Sequence, residues 1–313
     1  MAISASQVKE LREITGAGMM DCKKALSQTD GDMDKAIDFL REKGLAGAAK
    51  KAGRIAVEGL SLTAVSDDEK RAVVVEVNCE TDFAANGDKF REYVQDVASQ
   101  ALASEAVTLD AFLEEKWNKD SSVTVKEALS QAISIISENM NIRRFQRVAE
   151  PNGFIASYIH ANGKIGVLVD IETDKKSDAI DEMGKNIAMQ VAALSPKYTR
   201  SNEISEDFIA REKEIFLAEA KNEKPDANEK IWNGIVMGRL NKEFKEICLL
   251  DQVYVKAEDG KQSVQKYIDE VAKAEGAKIN VKGFVRFQTG EGMEKKEEDY
   301  AAEVAKAAAE AKK

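Results

Sequence analysis

Val75-Glu-Val-Asn-Cys-Glu-Thr-Asp82 and Val169-Asp-Ile-Glu-Thr-Asp174 carry the same short pattern, an apolar run with one acid that closes on Glu-Thr-Asp. The resemblance extends outward from both copies. Before the first lie two β-prone runs, Leu60–Val65 and Ala72–Val77, around the polar turn Ser66-Asp-Asp-Glu-Lys70. Around the second, Phe154–Ile159 and Ile165–Ile171 flank Asn162-Gly163, a strong hairpin dipeptide. A helical pattern follows each hairpin, with Phe90, Val94, Val97, Ala98 and Ala101 after one and Ile180, Met183, Ile187, Val191 and Leu194 after the other. Two hairpin-plus-helix units predict an internally duplicated α/β core, with helices covering one face of antiparallel sheets and an overall α+β class.

Upstream, residues 1–54 read as a helical module and linker. Ser4 with Gln7 forms a capping box for a helix carrying Val8, Leu11 and Ile14, which stops at Gly16. A second helix fits Met19–Gln28, and Asp32 caps a third that should end at Gly44. The small, basic stretch from Leu45 to Arg54 then reads as a linker. The core divides into residues 55–150 and 151–289. In the first part, helices are expected near Thr108–Trp117 and from Thr124, where Glu127 completes a second capping box. The second part is interrupted at about 205–249 by two helical patterns broken at Lys224-Pro225, an inserted antiparallel helical hairpin. A helix capped at Ser263 and a strand at Val281–Phe287 complete that unit. Residues 290–313, rich in Ala, Glu and Lys, predict a C-terminal helix.

Composition narrows the function. The 313 residues carry 46 Lys+Arg against 56 Asp+Glu, a net charge of -10, which argues against a simple nucleic-acid binder. One histidine and three scattered cysteines leave no His-rich metal site, zinc cage or CxxC redox pair. No apolar run approaches membrane-spanning length and no signal segment is evident, so the expectation is a protein of a reducing bacterial cytoplasm without cofactor or metal. Phosphate loops, nucleophile elbows and zincin motifs are absent, and Gly290-Glu-Gly292 lacks the Lys and Ser/Thr of a phosphate loop. The expectation is that the chain is not an enzyme.

Two short stretches remain as candidate contact sites. Asn78-Cys-Glu-Thr-Asp-Phe83 follows an apolar strand, where a scaffold presents functional groups. Phe83 either tucks into its own core or stands out as an aromatic wedge for a partner. Gly16-Ala-Gly-Met-Met-Asp21 places two methionines at a helix entrance. They either cap the small bundle or present a soft contact surface.

Val8–Leu26, Glu76-Val-Asn-Cys-Glu-Thr-Asp-Phe83, Asn141-Ile-Arg-Arg144, Ile187-Ala-Met-Gln190 and Gly283-Phe-Val-Arg-Phe287 strongly resemble the bacterial elongation factor Ts family, in order along the chain. The resemblance implies a ubiquitin-associated-like three-helix head, a two-part core, a coiled-coil insertion and a C-terminal module. It implies a guanine nucleotide exchange factor that acts on elongation factor Tu and performs no bond chemistry. Thr81, Asp82, Phe83 and Ala84 match the family motif that disturbs the magnesium site of the GTPase, with Ala84 where many members carry Val. Leu11, Met19 and Met20 match the N-terminal grip, and His160 matches a core histidine near the contact surface. The resemblance further implies binding to GDP-loaded and nucleotide-free Tu, and self-association of some members through the insertion, hence an expected homodimer. A second reading from another class is an adaptor whose head binds a helix or ubiquitin-like partner without effect on nucleotide.

Overall fold

The structure is a computed structural model and describes residues 3–293; the C-terminal helix expected beyond Gly290 lies, from residue 294, outside the described residues. The head comprises α1 (Ala5–Thr15), α2 (Met19–Gln28) and α3 (Met33–Lys51). Ser4 and Gln7 form the reciprocal capping box, and Gly16, at φ 66°, ends α1 in the left-handed region. Val8, Leu11, Cys22, Ala25, Leu26 and Ala36 close its small core.

Gly44 does not end the third helix. α3 continues through it to Lys51, so most of the expected linker is helical. The reason is tertiary. Gly44 is buried against a later helix, Val125–Ile136, and a Cβ placed on it would sit 3.7 Å from the Ser130 carbonyl oxygen and the Ser134 Cβ. A Cβ would fit there at ordinary contact distance, so glycine is tolerated and not required, and the packing of α3 on that later helix offsets a cost of about 1 kcal/mol for glycine within a helix.

The first unit forms an antiparallel sheet in the order β1-β2-β5, from β1 (Glu58–Val65), β2 (Arg71–Cys79) and β5 (Met140–Ala149). Between β2 and β5 come α4 (Asp82–Asn86), α5 (Asp88–Ala103), α6 (Leu109–Leu113), a small hairpin of β3 (Lys116–Trp117) and β4 (Asp120–Thr124), and α7 (Val125–Ile136). The helix expected over Thr108–Trp117 is therefore only α6, with Trp117 in the hairpin. The Thr124–Glu127 capping box is present on α7.

The second unit repeats the design. β6 (Gly153–His160), β7 (Ile165–Thr173) and β8 (Ile279–Gln288) form the sheet β6-β7-β8, and α8 (Asp178–Leu194) and α11 (Val264–Glu275) cover it. The insertion is the hairpin of α9 (Glu206–Glu223) and α10 (Glu229–Ile247). Its antiparallel register is set by Arg239 pairing with Glu219 and Glu223, and by the Trp232 indole donating to the Lys224 carbonyl at 2.9 Å.

Alternation along β2 explains why its run is apolar throughout. Val73, Val75, Val77 and Cys79 face the helices of the first unit, while Ala72 and Val74 meet Ile155, Leu168, Val285 and Phe287 of the second sheet. The two sheets thus pack face to face, with helices outside, in four layers. β2 is the central strand of its sheet and, beyond Arg71, is buried on both faces.

The duplication reaches single residues. A Cβ on Gly59 would lie 2.1 Å from the Val77 carbonyl oxygen, and one on Gly153 would lie 2.0 Å from that of Ile171, so each unit needs glycine where its first strand approaches the second. Each sheet also carries a register shift at the same place, between Glu76 and Val77 and between Asp170 and Ile171. The residues left over on the partner strands are Arg143 and Lys282, both basic.

Each bulge therefore sets an inter-sheet acid beside a base, with different outcomes. Glu76 is fully buried and receives Arg143 Nη1 at 2.9 Å, Arg144 Nε at 2.6 Å and the Gly290 N–H at 2.8 Å. Asp170 instead adjoins the buried Glu150, which takes the Lys282 ammonium at 2.8 Å, while Asp170 Oδ1 is buried without a hydrogen-bond partner among the described residues. Burial, then the adjoining Glu150, push the Asp170 carboxyl from 3.8 up to about 6. A raised carboxyl favours the folded state below its unfolded value near 3.8, and that contribution is lost as pH rises through about 6. Asp170→Asn, which replaces the shared proton by an amide N–H, should be more stable than the parent at pH 7.5 and equal to it near pH 4. Urea titrations across that range measure it, and a pH-independent difference between the two proteins would refute it.

Candidate functional site

The peptide leaving β2 turns at once into α4 and is fastened on three sides. Cys79, buried with its thiol pushed up to about 12 by that burial, points its Sγ at the Thr81 carbonyl, 3.3 Å away. Thr81 is the N-cap of α4, its Oγ1 accepting the Ala84 N–H at 3.1 Å. Glu138, just after α7, accepts the Glu80 and Thr81 N–H groups on Oε2 at 3.1 and 3.0 Å and the Thr81 hydroxyl on Oε1 at 2.6 Å. The hold is reciprocal, because Glu80 Oε1 accepts the Asn139 N–H at 2.6 Å. Arg54 and Asn139 complete the knot, Arg54 donating to Glu80 at 3.3 Å and Asn139 Nδ2 donating to the Arg54 carbonyl at 2.7 Å.

On this short helix Ala85 is buried and Ala84 packs against the first core. The opposite side carries Asp82 and Phe83 outward, and Phe83 is 87% exposed. Among the described residues the ring therefore belongs to none of the hydrophobic cores. Asn86, at the end of α4, receives Arg91 Nη2 and Asn162 Nδ2, each at 3.2 Å, and Arg91 also donates to the Asn162 carbonyl at 3.3 Å. The Phe83 helix is thereby tied to the β6–β7 turn of the second unit.

His160 is the residue before that turn and is exposed, its Nδ1 3.1 Å from the Tyr158 hydroxyl. Ala161, Asn162 and Gly163 all adopt positive φ, and a Cβ on Gly163 would lie 2.6 Å from Leu60 Cδ2. The structure thus brings Thr81–Ala84 and the His160 turn to one end of the sandwich. The other end, where β7 finishes, holds a cleft of about 830 Å³ lined by Lys70, Lys175, Lys176 and Lys278. The Phe83 end is a projection, suited to entering a partner rather than to enclosing a small molecule.

The N-terminal trio divides. Met19 and Met20 open α2 at 57% and 75% exposed, whereas Leu11 is 0% exposed within the core of the head. Leu11 is corrected from a gripping residue to a core residue: at the 3–4 spacing of α1 it shares the inward face with Val8, against Cys22, Ala25 and Leu26. The head abuts the end of α7, where a Cβ on Gly16 would meet Ile135 Cδ1 at 3.2 Å. Three residues on stands Glu138, so the end of α7 supports both the head and the Phe83 loop.

Sequence reasoning missed Glu138, Asn86, Arg91 and Asn162 as supports of the site. Asn162 was marked only as a turn residue and the others carry no local signature, because each acts on the site across a large sequence separation. Among the described residues no group of three His, Cys, Asp or Glu side chains is placed to hold a metal ion, and no helix is long and apolar enough to cross a membrane.

Comparison with known proteins gives the arrangement its context. The family model described as Elongation factor TS matches residues 80–291, beginning at the anchored Glu80 and ending at Glu291. An elongation factor Ts from Clostridium botulinum (strain Eklund 17B / Type B) is 51% identical over 305 residues, covering 97% of this chain and 98% of the relative. Those from Clostridium novyi (strain NT), 51% identical over 303 residues (96% and 97% covered), and Clostridium kluyveri (strain NBRC 12016), 52% identical over 305 residues (97% and 98%), are similarly alike. A match of this extent, taking in the head, the duplicated core and the insertion, means that the chain belongs to the elongation factor Ts family.

Proposed function

We propose that this chain is a guanine nucleotide exchange factor of translation, accelerating GDP release from elongation factor Tu by inserting Phe83 beside the Mg²⁺ and phosphate site. The observation that carries the reading is a large apolar ring, 87% exposed, on a loop whose backbone is held by hydrogen bonds on both sides. An exposed ring on a mobile loop would lose entropy on docking; on a fastened loop most of that cost is met in folding.

The reaction needs no bond chemistry from this chain. If the factor lowers GDP affinity, GDP lowers the factor's affinity equally, so its contacts must compete with nucleotide and metal. Phe83 and Asp82 supply that competition, while Met19 and Met20 form a second grip that adds affinity without opposing GDP. GDP-bound and nucleotide-free Tu are both partners, the latter the tighter. His160, beside the turn tied to α4, lines the same contact region. Exposed Ile215, Ile231 and Met237 on the helical hairpin support self-association there. A factor of the elongation cycle would act in the cytoplasm.

The test is a stopped-flow measurement of labelled GDP release from elongation factor Tu with and without the protein. Release should accelerate at least ~100-fold at saturation, the upper range of coupling between two sites. Complex formation without acceleration would overturn the exchange reading in favour of an adaptor.

A further inference from the structure

We infer that Glu138 is the positioning residue of the Phe83 wedge, an inference that rests on the exchange reading above. Asp82 and Phe83 are exposed and belong to none of the hydrophobic cores among the described residues. Their direction is set by the first turn of α4, which depends on Thr81. A threonine hydroxyl has one proton and can rotate. By taking that proton at 2.6 Å, Glu138 Oε1 leaves a Thr81 lone pair facing the Ala84 N–H at 3.1 Å. The other oxygen, Oε2, holds the two preceding backbone N–H groups, Glu80 and Thr81. One carboxylate thus fixes both the backbone entering the helix and the rotor that caps it, with charge-assisted hydrogen bonds.

Glu138 is itself held. Ser137 before it is in the left-handed region, φ 69°, and donates its N–H to the Ile133 carbonyl at 2.9 Å; Asn139 after it is tied to Glu80 and Arg54. The wedge is therefore braced against α7, not merely attached to the end of β2. Without the brace, the competent orientation of Phe83 becomes one of several, and the exchange step weakens by the fraction of time it is populated. Grips elsewhere keep their affinity.

The experiment compares wild type, Glu138→Ala, Glu138→Gln, Phe83→Ala and the double variant Phe83→Ala/Glu138→Ala in GDP release from elongation factor Tu. Glu138→Ala should lower the plateau rate about tenfold while the half-saturating concentration changes less than about threefold. Glu138→Gln keeps one acceptor oxygen for the two N–H groups and should recover to within about threefold of wild type. In the Phe83→Ala background the same Glu138→Ala change should cost clearly less than it does in wild type, because the brace acts chiefly through the ring and only Asp82 is left for it to orient. A wild-type plateau in Glu138→Ala, or an equal further loss in the Phe83→Ala background, would overturn the inference while leaving the exchange reading standing. Failure of wild type itself to accelerate release would remove that reading instead. Amide hydrogen exchange in Glu138→Ala gives an activity-independent check: protection should fall at Glu80, Thr81 and Ala84 but hold at Val75 and Val77, and unchanged protection at the first three would refute the brace.

Discussion

Phe83→Ala should slow stimulated GDP release by roughly 30- to 100-fold, ~2–3 kcal/mol of lost interaction, the range for an aromatic anchor buried in a partner. Its urea midpoint should shift by no more than about 0.5 kcal/mol of stability, as for a surface substitution. The two halves of this expectation have one cause. A ring that is 87% exposed makes almost no contact within its own chain, so its removal costs the fold little. The same ring offers a large apolar area to a partner, and that area is what docking removes from water. Phe83→Leu, which retains much of that area without the flat ring, should fall between wild type and Phe83→Ala. A variant with intact exchange and a stability loss of about 3 kcal/mol would show a core ring and end the wedge proposal.

That the ring is exposed was not legible in the residues, although the loop was. Strand followed by Glu-Thr-Asp-Phe marks a presented turn, but whether Phe83 turns inward depends on where Ala84 and Ala85 lie, and those small residues are drawn to the core by α4, a helix too short to announce itself. The hairpins, the capped starts of α1, α3 and α7, and the helical insertion were legible because each is specified by neighbours within a few residues. β5 was not assigned as a strand, since Asn141, Arg143, Arg144, Gln146 and Arg147 break any alternation of apolar residues. Arg143 and Arg144 make sense only opposite Glu76, more than sixty residues away, and Arg147 only against the Ala106 carbonyl. Gly44 misled for a related reason: locally it is a stop, and only the crossing of α3 over α7 makes it a packing position. The brace at Glu138 and the face-to-face sheets are likewise properties of distant pairs.

Glu76→Ala should cost about 3 kcal/mol of stability, read as a lowered urea midpoint, at the low end of the range for breaking a buried ion pair. The low end applies because Arg143 and Arg144, though they lose their carboxylate, are 27% and 33% exposed and can regain water. The Gly290 N–H has no such recourse, since its 2.8 Å bond to Glu76 is buried and the turn it anchors is tight: Gly290 sits at φ +74°, with room for no Cβ beside the Val57 carbonyl. Exchange of the Gly290 amide hydrogen should therefore accelerate more than that of Val285 in the preceding strand β8. Glu76→Gln, which retains one acceptor oxygen but no charge, should cost roughly half as much. Burial alone would raise the Glu76 carboxyl, but Gly290, Arg143 and Arg144 outweigh it and hold it below its ordinary 4.5. Its contribution is therefore present above pH 4.5 and lost as pH falls through the lowered value, the reverse of Asp170. The two units place an acid at the same bulge and treat it differently, one pairing it with two guanidinium groups, the other setting it beside a second carboxylate that takes the only adjoining ammonium among the described residues. Opposite slopes from equivalent positions confine the greatest combined benefit to the interval between about 3.8 and 4.5, below which the Glu76 contribution is lost and above which that of Asp170 declines. Removing both acids, as Glu76→Gln with Asp170→Asn, should flatten the pH dependence on both sides of it; a curve of unchanged shape would show that the bulges are not its source.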